Sequence, residues 1–341
     1  MSRINRSPVA IWLLTGVAMI MIQVLLGGIT RLTGSGLSIT EWKPLLGVIP
    51  PMNEADWQAA FDQYKQIGQY KHINFDFTLS DFKFIYFWEW FHRVWARFMG
   101  VVFAIGFVYF LIRKQIKKEM IVPMILLFVL GGLQGAIGWI MVKSGLNEND
   151  VSVNHIRLSF HFIAALGLLV YVFWFAAGLI TPATQQIRNN GLQKFLHLIL
   201  SVMVIQLFYG AFMAGLKAGT AAPTWPSING LAIPSGMSSG KQWLFSNMIT
   251  VQFIHRLIAY ILTIMVVYWW WKSRRIQASG WFAAARHLPL VLVFLQVLLG
   301  IFTVVYSPQA QLLLWFGVAH QFVAMLLLVS LVWNRKLVVR F

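Results

Sequence analysis

Long apolar runs alternate with shorter polar segments along the chain, near residues 9–29, 85–112, 121–142, 156–180, 195–216, 247–271, 288–306 and 312–333. Each run meets the requirement of about 20 apolar residues for a helix that crosses the hydrocarbon core. Backbone amides find no water there, so a run of this kind must satisfy its own hydrogen bonds as a helix. The pattern predicts an all-α membrane protein of eight transmembrane helices, and an even number of crossings puts both termini on one side. The first run follows only seven residues and is not followed by an A-x-A-like site, which predicts a retained helix and not a cleaved signal peptide.

The polar connection near Thr181–Lys194, with Pro182, Gln185, Gln186, Asn189, Asn190 and Gly191, separates four runs from four. The two halves carry the same markers. Q-x-x-x-G occurs at Gln23/Gly27 and Gln134/Gly138 in spans one and three, and at Gln206/Gly210 and Gln296/Gly300 in spans five and seven. Spans two, four, six and eight each hold one interior histidine: His92, His161, His255 and His320. The repeat predicts two pseudo-symmetric four-helix bundles, residues 1–187 and 188–341, related by an axis along the membrane normal. The glycines are expected to allow close helix approach, whether as ordinary small-residue packing or as part of a site. The outer segment from about Thr30 to Phe84 is the largest soluble element and is expected to pack back on the bundle. Its counterpart, Lys217 to Ser246, is also too long for a simple turn.

Charge fixes the expected orientation. A net charge of +17 could suggest nucleic acid, but the 27 basic residues follow the spans. With the N-terminus inside, fifteen of them (Arg3, Arg6, Arg113, Lys114, Lys117, Lys118, Arg188, Lys194, Lys272, Arg274, Arg275, Arg286, Arg335, Lys336 and Arg340) fall in inner segments, and nine fall outside. Arg93, Arg97 and Arg256 sit within spans, and eight of the ten acidic residues lie in outer loops. The positive-inside rule then places both termini in the cytoplasm and leaves no role for nucleic acid. The chain has no cysteine, which excludes disulfides, thiolate-ligated haem and cysteine-ligated iron–sulfur clusters.

Histidine in a bilayer core is costly unless it faces the bundle interior and finds a partner. The four interior histidines lie five to eight residues past the expected outer ends of their spans, roughly 8–12 Å deep at about 1.5 Å per residue. Paired histidines on facing helices of a bundle are a common source of both axial ligands for haem, so the pattern points to one haem site in each half. The alternative for any one of them is an interhelical hydrogen bond. His72, His155, His197 and His287 lie in loops or at helix borders and are read as solvated. The halves differ three residues before the first histidine of each, with Glu89 before His92 and Gln252 before His255. Glu89 shares a helix face with His92 and could move protons or stabilise positive charge; a salt bridge to Arg93 or another arginine is the other reading. Arg31, Arg93, Arg157 and Arg256 lie near the outer level, where haem propionates would need cationic partners.

Together these residues resemble the haem A synthase family over nearly the whole chain. The resemblance rests on the run GGITRLTGSGLSITEWKP from Gly27 to Pro44, EWFHR from Glu89 to Arg93, LQGAIGW from Leu133 to Trp139, and His161. In the second half it rests on AGLKAG from Ala214 to Gly219, FIHR from Phe253 to Arg256, and AHQ from Ala319 to Gln321. It implies oxidation of the C8 methyl of haem O to a formyl group by successive hydroxylations, the second giving a geminal diol that loses water, with haem A as product. It also implies that His92 and His161 bracket the substrate haem, that Glu89 is catalytic, and that His255 and His320 ligate a permanent haem B. Haem O synthase and an unidentified electron donor are the expected partners besides the lipid bilayer, and a homo-oligomer is compatible with the sequence. Some family members carry cysteine pairs in their outer loops; this chain has none, so roles tied to them do not transfer. Two rival readings are a di-haem cytochrome b passing electrons from quinone to a soluble partner, and a transporter suggested by the repeat. Such a cytochrome usually staggers its haems across the bilayer and would leave Glu89 without a role, and a transporter would leave the four level histidines unexplained.

Overall fold

The apolar runs fold as helices in the computed structural model of the protein, which describes residues 7–41, 46–237 and 243–340. Arg3, Arg6 and the Trp42-Lys43-Pro44 end of the first motif lie outside the described residues. In chain order the helices are α1 (Pro8–Leu32), α2 (Glu54–Tyr64), α3 (Gly68–His72), α4 (Leu79–Ile112), α5 (Lys118–Lys143) and α6 (His155–Ile180). They continue with α7 (Asn190–Gly215), α8 (Trp243–Ser246), α9 (Met248–Arg274), α10 (Gly280–Ala285), α11 (Leu288–Val305) and α12 (Ala310–Leu337). Eight spans, with α10 and α11 together forming the seventh, are long and apolar enough to cross a membrane.

The helices overrun the apolar windows because caps, and not hydropathy, set their ends. α4 starts six residues before the expected 85, where Thr78 and Asp81 form a reciprocal capping box. α7 starts at Asn190 and not 195, behind Asn189, whose side chain accepts from the Leu192 amide at 2.8 Å.

The chain divides into two compact units, Ile22–Ala165 and Met1–Met21 with Leu166–Phe341. In the second of these, α7 packs on α9, α9 on α11, α11 on α12 and α12 back on α7, which closes a four-helix ring. Lipid chains are as apolar as leucine, so such helices associate through fit and polar contacts, not through the hydrophobic effect. Trp269 is fully buried in this unit and meets Phe282 edge-on at 6.3 Å. The buried Asn334 amide donates to the Ala285 carbonyl at 3.0 Å, tying α12 to α10. At one end of the unit, Ile187–Arg188 pairs in parallel with Val338–Val339, so the mid-chain connection and the C-terminal segment lie together. Gln193 reinforces this, donating to the Val338 carbonyl at 3.1 Å and accepting from Arg340 at 2.9 Å.

In the unit Ile22–Ala165, the large outer segment packs back on the start of α4, as expected. Leu37, Phe61, Tyr64, Ile67, Phe82 and Ile85 form a buried cluster, rimmed by Trp57, Tyr70 and Tyr86. The helices α2 and α3 within the segment were not anticipated, because their amphipathic pattern is too short to stand out beside the spans. Burial pushes the Tyr64 phenol up to about 12, so it stays protonated. It donates to Gln69 at 3.0 Å and accepts from Asn74 at 2.7 Å. Gln69 in turn donates to the Gly34 carbonyl at 3.0 Å. α3 also presses against the outer connection after α5: the Gly68 amide donates to the Asn147 carbonyl at 2.7 Å. A β-carbon on Gly68 would stand 2.7 Å from the main-chain oxygens of both Glu148 and Asp150. Gly68→Ala should therefore loosen the outer cap and speed proteolysis within residues 54–72, whereas Gly100→Ala, in α4 with nothing within 4 Å, should not. Limited proteolysis of both variants checks this; equal cleavage rates would count against the packing described.

Candidate functional site

Each interior histidine stands against the Q-x-x-x-G segment of the long helix that precedes it. Gln23 Nε2 lies 3.2 Å from His92 Nε2, and Gln134 Nε2 lies 3.1 Å from His161 Nδ1. Gln206 Nε2 lies 3.4 Å from His255 Nε2, and Gln296 Nε2 lies 3.1 Å from His320 Nε2. The glycine one turn further on lies under the same ring. A β-carbon on Gly27, Gly138, Gly210 or Gly300 would come within 3.1, 2.8, 3.4 or 2.9 Å of Cε1 of His92, His161, His255 or His320 respectively. The glycines thus admit an imidazole edge, a narrower purpose than general helix approach. The four glutamines were visible in the sequence only as repeat markers; their fixed spacing from the glycines, twice in each half, was the signal for a shared role.

Two of the contacts fix how the amides point. His320 Nδ1 lies 3.1 Å from the Gln296 main-chain oxygen, which can only accept, so Nδ1 carries the proton and Nε2 the lone pair. The Gln296 amide N–H therefore donates into that lone pair. At His161, Gln134 Nε2 also donates to the main-chain oxygen of His161 at 2.9 Å, which fixes the amide and makes Nδ1 the acceptor. The Oε1 atoms of all four glutamines are buried with no hydrogen-bond partner, as are Nδ1 of His92 and His255.

The histidines come together in pairs. The rings of His255 and His320 are 6.5 Å apart between centres and inclined at 71°. An iron between them, with about 2 Å to each nitrogen and about 1.2 Å from nitrogen to ring centre, needs roughly 6.4 Å. His92 on α4 and His161 on α6 are the corresponding histidines of the other unit. No group of three or more His, Asp or Glu side chains suited to a metal ion occurs among the described residues. A bare ion would lack ligands, whereas haem brings four of its own and asks for two, so the residues present fit haem. His72, His197 and His287 are exposed, and His155 is the first residue of α6.

Glu89 is 3% exposed and both its oxygens are committed. Oε1 pairs with Arg93 at 2.5 Å, and Oε2 accepts from Ser38 Oγ at 2.7 Å and the Ile39 amide at 2.9 Å. The salt bridge to Arg93 is thus present. Ser38 and Ile39 are partners that helix spacing could not reveal, because they arrive from the outer segment. The matching Gln252 donates to the Ala222 carbonyl at 2.9 Å. The four arginines differ in what they hold. Arg93 also donates to the Ile39 and Glu41 carbonyls, Arg256 to those of Thr224 and Ser227, and the exposed Arg157 to that of Ile140. Arg31, in the last turn of α1, keeps a buried Nη2 without a partner.

Fold and site together define a multi-pass helical membrane protein that carries two histidine pairs on its spanning helices. The chain belongs to the cytochrome oxidase assembly protein family, whose model matches residues 10–332. It is 40% identical to the heme A synthase of Nitrosomonas eutropha, covering 98% of this chain and 94% of that protein. It is 40% identical to the heme A synthase of Flavobacterium johnsoniae, over 98% of each chain. The heme A synthase of Brucella suis is 42% identical, over 95% of this chain and 90% of its own.

The glycine seats predict an order of tolerance. Gly138→Ala and Gly300→Ala put a methyl into a rigid ring and should destabilise the solubilised protein by about 1–3 kcal/mol. Gly210→Ala, at ordinary contact distance, should cost much less. Apparent melting temperatures of the three variants measure the difference, and a Gly210→Ala loss as large as the others would refute the assignment.

Proposed function

We propose that this chain is a haem A synthase, which oxidises the C8 methyl group of haem O to a formyl group by successive hydroxylations and releases haem A. The observation that carries this reading is the asymmetry between the two histidine pairs: a buried, ion-paired Glu89 precedes His92, where a neutral Gln252 precedes His255. Two sites meant only to conduct electrons would have no use for that difference.

In this reading residues 1–187 form the substrate half and residues 188–341 the cofactor half, as two pseudo-symmetric bundles. His92 and His161 bracket the porphyrin of haem O, and His255 and His320 hold a permanent haem B. When bound, haem B supplies one-electron chemistry. The chain's own part is to orient and to stabilise charge. Arg93 on Oε1, and Ser38 and Ile39 on Oε2, hold the Glu89 carboxylate in one orientation on the helix that carries His92, which suits stabilisation of positive charge developing during oxidation. Arg31 is the natural propionate partner in the substrate half because its buried donor is uncommitted. Arg93, Arg157 and Arg256 already donate to main-chain carbonyls. Both termini lie in the cytoplasm of a bacterial cell, with haem O delivered from haem O synthase and electrons from a separate donor.

The test is extraction and chromatography of the haems from protein produced in a host that makes haem O. Wild type should yield haem A. Glu89→Gln keeps an acceptor for Ile39 but loses the charge, and should accumulate haem O or a partly oxidised haem, with turnover reduced about 10²-fold or more. Haem B alone, in wild type and variant with haem O at hand, would favour the di-haem cytochrome; a fully active Glu89→Gln would remove Glu89 from the chemistry.

A further inference from the structure

We propose that Gln23, Gln206 and Gln296 are placeholders for haem iron: each amide N–H occupies the Nε2 lone pair of His92, His255 or His320 until iron takes that lone pair. This rests on the haem reading of the sites and assigns the glutamines a role in loading them.

The chemistry is clearest at His320. Its Nδ1 proton is held by the Gln296 main-chain oxygen at 3.1 Å, so Nε2 is a lone-pair donor aimed at the Gln296 amide 3.1 Å away. A neutral imidazole with its other nitrogen bonded to a carbonyl is the usual form of a histidine ligand. No proton has to leave when a metal replaces the amide. The amide nitrogens of Gln23 and Gln206 also address Nε2, at 3.2 and 3.4 Å, but Nδ1 of His92 and of His255 has no carbonyl partner; Nε2 accepts there when Nδ1 carries the ring proton.

The second observation is the cost of the arrangement. Each of these glutamines leaves Oε1 buried and unpartnered, and a buried carbonyl without a donor is unfavourable. The amide is thus well enough held to keep the ring aligned and the lone pair satisfied, yet poorly enough satisfied overall to give way. Gln134 stands apart. It addresses Nδ1 of His161 and is tied to the His161 main-chain oxygen, so it is not assigned this role.

A placeholder differs in sign from a supporting residue. Removing a supporting partner of a metal ligand weakens binding roughly 10- to 100-fold. Removing a placeholder strengthens it, because nothing has to be displaced. Gln206→Met keeps length and apolar bulk without the amide. In full-length, haem-free protein carrying His161→Ala, so that the C-terminal pair is read, titration with haem B should show Gln206→Met binding about 2- to 12-fold tighter than its parent, the worth of one net hydrogen bond. The low-spin bis-imidazole spectrum should be unchanged. Gln296→Met gives the same comparison at the other ligand and serves if Gln206→Met does not accumulate. Equal or weaker binding, or an altered spectrum, overturns the proposal while leaving the haem site intact. A parent protein that binds no haem B overturns the C-terminal haem reading and this proposal with it.

Discussion

The rest of the structure depends on the need to satisfy an imidazole ring inside an apolar helix bundle. A ring buried without partners is expensive, and its edge needs room against the neighbouring helix. The chain meets the two demands with one local device used four times. Glycine removes the β-carbon, so the ring edge can lie on the neighbouring helix. Glutamine, one turn earlier, supplies an amide to a ring nitrogen, and at His320 its own main-chain oxygen holds the other.

The outer segments depend on the same helices through a second device. The residue three before the first histidine of each half, and the arginine one after it, reach outward to loop backbone. Glu89 and Arg93 hold Ser38, Ile39 and Glu41, while Gln252 and Arg256 hold Ala222, Thr224 and Ser227. The histidine positions and the caps above them are therefore set by the same turns of α4 and α9. The difference between the halves is one of charge within a shared geometry. A carboxylate can accept from Ile39 and pair with arginine, whereas an amide can donate to a carbonyl.

Much of this was written in the chain. Eight spans, the Q-x-x-x-G and histidine repeat, and the Glu89/Gln252 difference follow from hydropathy and spacing, because a bilayer forces helices and a repeat preserves order. The sequence also singled out the four interior histidines, since polar groups among apolar runs stand out. Helix ends were misplaced by up to six residues at α4, where a capping box outside the apolar window decided the boundary.

Only the tertiary structure decided which atoms meet. That Gln23 addresses His92, and Gln134 addresses the other nitrogen of His161, depends on how neighbouring helices rotate about their axes, and hydropathy does not fix rotation. That both oxygens of Glu89 are taken, by Arg93 on one side and Ser38 and Ile39 on the other, depends on an outer segment returning across about 50 residues of chain. Sequence determined the inventory and its period; packing determined the pairing, because hydrogen bonds are set by atomic positions that only the folded chain brings within reach.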